Sequence, residues 1–477
     1  MNSVRGGNHG RLSMINQLPD EVLSHIISSL SIDEAVRSSV ISKRWGPLWK
    51  RASRLDFDNR HMINPLFQNS LSRELRFLDP NNASQHAYIY AKIVDQVLHQ
   101  HLGDLTTCRF KHFRRSLLVG EVEKWVEFVI LNKGLTSLSL ECELSIPEVD
   151  PVLVDLSIPN VKINFKPKIF SNLHSLELTN YVLNNAVSSA FQSCEKLTML
   201  KLKKVFMRAE TINGVLDNCL FLEKFSLIDS FGFKELKIMN TRIKYLELLR
   251  LVVDEIDVFI ENLQVLVLNS LICPPKGLKI FTPKLKSFYY VYNAPTKKVQ
   301  ANNPEVRVLK TQDIFENCSH LLGSRTMNIF QNLFVLSIDL DLNNIREILS
   351  LSFVLRSCLY LKNLEITVPV NKVSNSNDDS DEGTLPFPNS MFWEREGISY
   401  NCINHKLKYA TIRGFRGREQ EVKFAKHLIT NGNMMEKMTI ICDSVTIVDE
   451  AKSLLSLPRA SSSLSITMDL KFKTSIV

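Results

Sequence analysis

The sequence has no apolar run long enough to span a bilayer, and its opening residues, MNSVRGGNHGRLSM, lack the hydrophobic centre of a secretory signal. Neither membrane insertion nor export is expected, which places the chain in the nucleus or cytoplasm. Nine cysteines are present, but no CxxC pair, so neither a disulfide framework nor a zinc site is signalled. No Gly-rich phosphate loop and no GxSxG elbow occur, and no cysteine sits in a motif that would lower its pKa. No catalytic centre, metal site or cofactor is expected. His99 and His101 form an HxH on a predicted helix and read as solvent-facing or half-buried histidines rather than ligands.

Strong charge of one sign is missing too. Lys+Arg number 58 against 50 Asp+Glu, a net +8 over 477 residues, which does not imply a nucleic-acid partner. In the one dense basic run, RFKHFRR at 109–115, Phe110 and Phe113 at i, i+3 are expected to anchor a core beneath a solvated face. What remains is ordinary: 44% hydrophobic and 23% charged, the composition of a folded protein. The length exceeds one compact core, so several domains or an elongated repeat array are expected.

The stretch LPDEVLSHIISSLSIDEAVRSSVISKRWGPLW reads as three short helices. Leu18-Pro19 followed by Asp20 and Glu21 marks a helix start, and Val22, Leu23, Ile26, Ile27 and Leu30 follow at helical spacing. Ser31 with Glu34 forms a capping-box pattern opening a second helix that carries Ile32, Ala35, Val36 and Val40. Ser42 would cap a third turn bearing Trp45, Leu48 and Trp49, which Pro47 is expected to kink or end. So short a piece buries too little surface to fold alone and needs a partner. The stretch resembles the F-box, from Leu18-Pro19 through the apolar spacing to Ser42-Lys43-Arg44-Trp45; Ser31 stands where many relatives have proline. The resemblance implies docking on the Skp-type linker of SCF ubiquitin ligases, and through it on a cullin, by Leu18, Pro19, Val22, Leu23, Ile26, Ile27, Leu30, Val36, Val40 and Trp45.

Helical patterns follow in IYAKIVDQVLHQHL and EVEKWVEFVILNK. A pattern LxxLxL then recurs, as LTSLSL at 135, LHSLEL at 173, LTMLKL at 197, LEKFSL at 222, IKYLEL at 243, LQVLVL at 263, LKSFYY at 285, LFVLSI at 333 and LKNLEI at 361. The steps match the leucine-rich repeat, in which each unit gives one strand to a stacked parallel sheet. VRVLKT, in the gap before 333, reads as a degenerate unit. Cys194, Cys219, Cys318 and Cys358 each precede a Leu by three residues and are expected to be buried at the turn into a strand. Strand side chains alternate, so Met199, Lys201, Lys203, Ser226, Tyr245, Glu247, Val265, Val267, Asn269, Ser287 and Tyr289 should point outward. Val, Tyr and Met among scattered charges suit a protein target better than a phosphate backbone.

The segment LKYATIRGFRGREQEVKFAKHLITNGNMMEKMTIICD reads as strand, turn, helix and strand, with Val422, Ala425, Leu428 and Ile429 on one helical face. Its IRGFRG, Glu421 helix and MEKMTI resemble the FBD domain of plant F-box proteins. LSITMDLKF at 464–472 could add an edge strand. The expected fold is α/β: a three-helix F-box, an irregular leucine-rich-repeat solenoid with a parallel sheet, and an FBD-type strand-helix-strand cap. The expected parts are a flexible tail 1–14, an F-box 15–54, a linking region 55–130, repeats 131–370, a flexible acidic insertion 371–395 and an FBD-type region 396–477. The resemblance implies a non-catalytic ligase adaptor that binds a target protein; the alternative is a leucine-rich-repeat scaffold with no ligase role.

Overall fold

The computed structural model describes residues 15, 17–38, 44–63, 83–143, 163–292, 307–309, 313–315, 330–369, 392–393, 399–444, 447–448 and 451–470. The tail 1–14, nearly all of 371–395, and Val40, Ser42, Lys43 and Cys318 lie outside them. The chain divides into two compact units, residues 1–222 with 230–232, and residues 223–229 with 233–477.

The first unit opens with helices α1 (Asp20–Ser28) and α2 (Ile32–Ser38), then turns through 44–48 into a single 3-10 turn, Trp49–Arg51. Pro47 lies in those turns, where its missing N–H and fixed φ do no harm. Five parallel strands follow: β1 (Arg54–Asp58), β2 (Thr107–Phe113), β3 (Ser137–Glu143), β4 (Ser175–Thr179) and β5 (Met199–Lys203), each paired with the next. Between the first three lie helices Ala83–Gln100, Arg114–Leu118 and Glu121–Lys133. Phe57 and Phe110 stack at 5.1 Å beneath Trp125, whose indole N–H donates to Asp95 at 2.7 Å.

The run RFKHFRR therefore divides, Arg114 and Arg115 opening the next helix and residues 109–113 closing a strand. Its period is two, with Cys108, Phe110 and His112 inward; Phe113 is only half-buried at the strand end. Short apolar runs do not discriminate the two periods.

The second unit holds nine parallel strands: β6 (Lys224–Ile228), β7 (Tyr245–Leu249), β8 (Val265–Asn269), β9 (Ser287–Val291), β10 (Val335–Asp339), β11 (Asn363–Thr367), β12 (Tyr409–Phe415), β13 (Lys437–Cys442) and β14 (Ser465–Leu470). Inward residues align across the ladder, Leu246 on Leu266 on Phe288 on Leu336 on Leu364. All five are buried, each contributing roughly 1.5–3 kcal/mol of burial. VRVLKT adds no strand to this sheet, because β9 pairs directly with β10. Its Arg307–Val308 instead pairs antiparallel with Ile272–Cys273, and Leu309 is buried beneath.

Step length decides what returns the chain to the next strand. Repeats starting at 222, 243 and 263 are 20–22 residues long and return through short strands, Glu235–Ile238, Glu255–Phe259 and Leu278–Phe281, which form a second parallel sheet. The longer steps, from 197 to 222 and from 333 to 361, return through helices Ala209–Asn218 and Ile345–Ser357. A helix rises only about 1.5 Å per residue against about 3.3 Å for a strand, so it needs the extra residues.

The turn before each strand is built alike. Leu197 N–H donates to Cys194 O and Leu222 N–H to Cys219 O; Leu263 repeats this on Ile260 and Leu285 on Thr282. Cys194, Cys219 and Cys358 are fully buried there; a hydrogen bond with Cys194, then burial, raises the thiol pKa of Cys219, and burial raises that of Cys358. All eight described cysteines are buried and none is in a disulfide, as packing residues would be.

Candidate functional site

The first candidate surface is the outer side of α1. The helix begins at Asp20 with Pro19 preceding it, and Leu23 N–H closes the first turn onto Pro19 O at 3.1 Å. Arg44 folds back to the same point, donating to Asp20 at 2.8 Å and to Leu18 O at 2.7 Å. The closing motif thus pins the opening one. Ser31 N–H donates to Glu34 at 3.3 Å, the glutamate half of a capping box; the Ser31 hydroxyl donates to the Asp33 and Glu34 carboxylates.

The ten residues expected to dock do not share one face. Leu23 and Ile27 are 0% and 1% exposed and hold α1 on its own chain, while Val22 and Ile26, one position earlier in each turn, are 43% and 37% exposed. Pro19 is exposed, Leu18, Leu30 and Val36 are half-buried, and Trp45 is buried with Leu48 and Trp49. Val40 lies outside the described residues. Sequence reasoning missed Ile15, 45% exposed, because nothing in its neighbourhood has a readable period.

The second candidate surface is the outward side of the strands. In the first unit it is filled by the chain's own ion pairs. Arg109 meets Glu141 at 3.3 Å and Asp56 at 3.5 Å, Lys111 lies 3.7 Å from both Asp58 and Glu141, and Lys201 meets Glu177 at 3.0 Å. Met199 is exposed and Lys203 half-buried. Two basic residues of the run RFKHFRR, Arg109 and Lys111, are thereby paired with carboxylates.

In the second unit Tyr245, Val265 and Ser287 form one outward row, and Glu247, Val267 and Tyr289 the next. These residues and Asn269 are all half-buried. Ser226 is the exception and corrects the expectation: it is 8% exposed, a short side chain sunk between Lys224 on its own strand and Glu247 at the paired position. Asp339, on the outward side of β10, was not picked out from the sequence. It accepts from Tyr292 N–H at 3.0 Å, and burial pushes its carboxyl up to about 6.

At the far end of the second unit, β12, the helix Glu419–Asn431 and β13 follow the expected order. Gly414 has φ +70°, and a Cβ there would lie 2.6 Å from Val368 O. Arg416 ties three loops together, donating to Asp443 at 3.1 Å and Pro369 O at 2.9 Å while its own N–H donates to Glu421 at 2.7 Å. Phe392 and Trp393, within the segment expected to be a surface insertion, include a core anchor: Trp393 is buried 4.7 Å from Phe424.

His101 is buried with its ring on Ala52 O at 2.9 Å, and His99 bonds Asp95 O at 2.7 Å. Among the described residues no group of three His, Cys, Asp or Glu side chains converges as a metal site, and no helix is long and apolar enough to cross a membrane.

Three family models match the chain: an F-box domain at residues 15–56, the LRR repeats of the FBD-associated F-box protein At5g56370 at 152–304, and FBD at 400–440. Similar proteins of Arabidopsis thaliana include a putative F-box protein, At1g67390, 28% identical over 89% of this chain and 84% of its own. F-box/LRR-repeat protein 13 is 23% identical over 98% of both chains, and F-box/FBD/LRR-repeat protein At5g53840 is 25% identical over 98% of this chain and 97% of its own. An F-box match, a repeat match and an FBD match follow one another along the chain, the same three parts that the name of At5g53840 joins, and make this chain similar to plant F-box/leucine-rich-repeat/FBD proteins.

Proposed function

We propose that the chain is the substrate-recognition adaptor of an SCF-type ubiquitin ligase. In this reading residues 15–54 are a three-helix F-box that docks on a Skp-type linker and reaches a cullin through it. Residues 55–130 link it to repeats at 131–370, which hold a target protein, and 396–477 form an FBD-type strand-helix-strand cap over the end of the repeat sheet. The adaptor itself is non-catalytic and needs no cofactor. It raises the effective concentration of a target lysine near a ubiquitin-charged enzyme carried by other subunits. Nucleus and cytoplasm are the compartments that suit this role.

The observation that carries the reading is the division of α1. Leu23 and Ile27 are buried in their own chain, and Val22 and Ile26 stand exposed beside Pro19. An apolar stripe on a well-anchored helix is a surface made for a partner. Titration calorimetry of the full chain with a Skp-type linker tests it. Val22→Glu with Ile26→Asp should weaken binding at least tenfold, about 1.4 kcal/mol, without lowering the melting temperature. Leu23→Ala should instead lower stability by about 2–5 kcal/mol. A folded wild-type chain that does not bind the linker would leave the repeat scaffold without a ligase role.

A further inference from the structure

The outward sides of the two units differ in what they leave for a partner. In the first unit the charged side chains face one another, Asp56 and Asp58 on β1 with Arg109 and Lys111 on β2 and Glu141 on β3. A partner would have to break these pairs, an unfavourable exchange for partly buried charges. In the second unit, β7 to β10 each offer three outward positions. No lysine or arginine occupies any of them; the charged residues are Glu247 on β7 and Asp339 on β10. Between and around them stand Val265, Val267, Tyr289 and Val335. Arg250, just past β7, is held by Asp229 in two hydrogen bonds of 2.5 and 2.6 Å. Asp339 is held by the Tyr292 amide and the Thr367 side chain, and a carboxylate has about four lone-pair sites, so a cation can add to these donors.

We propose that β7–β10 of the second unit are the target dock, and that they take an apolar segment carrying two basic residues, one for Glu247 and one for Asp339. This rests on the adaptor reading for its biological sense but not for its chemistry. Three strand spacings of about 4.8 Å and one two-residue step of about 6.7 Å put the two carboxylates about 16 Å apart. A helical segment would meet both with basic residues about eleven apart, at about 1.5 Å of rise per residue. An extended one would need about five residues, at about 3.3 Å each. The valines and tyrosines between supply the desolvated centre, and the acids set register and steer the encounter.

The test is selection of a random peptide display library on the immobilised full chain, in parallel with Glu247→Lys, Val267→Glu and Tyr289→Ser variants whose melting temperatures match wild type. The expected result is enrichment of peptides with two basic residues around an apolar centre, bound at least tenfold more weakly by each variant; Glu247→Lys should enrich acidic peptides instead. Neutral or acidic peptides on wild type, enrichment indifferent to the three variants, or no enrichment would each overturn the proposal. Self-association of the full chain that Val267→Glu abolishes would reassign the face to a second copy. Linker binding measured on the same variants separates the two readings: retained linker binding with a failed selection rejects this dock alone, and a successful selection without linker binding rejects the adaptor role alone.

Discussion

Single residues explain why the FBD resemblance rests on IRGFRG. Gly414 is left-handed and lies against Val368 O, a position where a side chain meets both backbone strain and a clash. Gly414→Ala should destabilise the second unit by about 2 kcal/mol or more, seen as a lowered urea midpoint. Arg416 spans Asp443 and Pro369 O at once, which the planar guanidinium can do and an ammonium cannot; Arg416→Lys should lose about 1–3 kcal/mol. Asp339 gives a pH dependence with a definite sign. Its carboxyl is raised to about 6 by burial, so the folded state binds the proton more tightly than the unfolded one. The stability this contributes is fully present below about pH 4 and is lost as pH rises through about 6. Asp339→Asn should stabilise the unit at pH 7 by up to about 3 kcal/mol and flatten its stability between pH 5 and 7. Urea midpoints that shift between the two pH values as much in Asp339→Asn as in wild type would contradict this.

Among elements, those with a long or repeated period were the legible ones. EVEKWVEFVILNK is helix Glu121–Lys133 and each quoted LxxLxL contains a strand, because the leucines bury on one side of it at every step. In RFKHFRR the i, i+3 pair Phe110 and Phe113 does not form one core face, because three steps along a strand turn a side chain to the other side; the aspartate and glutamate partners of Arg109 and Lys111 come from β1 and β3, distant in sequence. VRVLKT was misread because its spacing resembles a repeat while its backbone pairs antiparallel elsewhere. A feature with no sequence signal is the left-handed residue that ends successive strands: Asn180 and Lys204 in the first unit, Asp229, Arg250 and Ser270 in the second. Asn180 N–H thereby reaches Lys203 O, and Arg250 N–H reaches Asn269 O. Asparagine adopts this conformation at less cost than lysine. Lys204→Asn should therefore stabilise the first unit by about 0.5 kcal/mol, measurable as a raised melting temperature.

At the scale of the whole molecule, order along the chain carried more than any single motif: helices with an exposed apolar stripe, then repeats, then the strand-helix-strand end. That much was readable because each part has its own period. The division of α1 into anchoring and exposed residues was not readable, since Val22, Leu23, Ile26 and Ile27 all fit the same helical spacing and only the packing of Leu23 and Ile27 separates them. The choice of β7–β10 over the first unit's face was likewise hidden, because it depends on which charges find partners on neighbouring strands. The most direct measurement of the adaptor role is affinity purification of the full chain from plant cells under proteasome block, wild type beside Val22→Glu/Ile26→Asp. The account predicts that a Skp-type linker and a cullin co-purify with wild type and are lost together from the variant. A cullin recovered equally with both, or with neither, would contradict it.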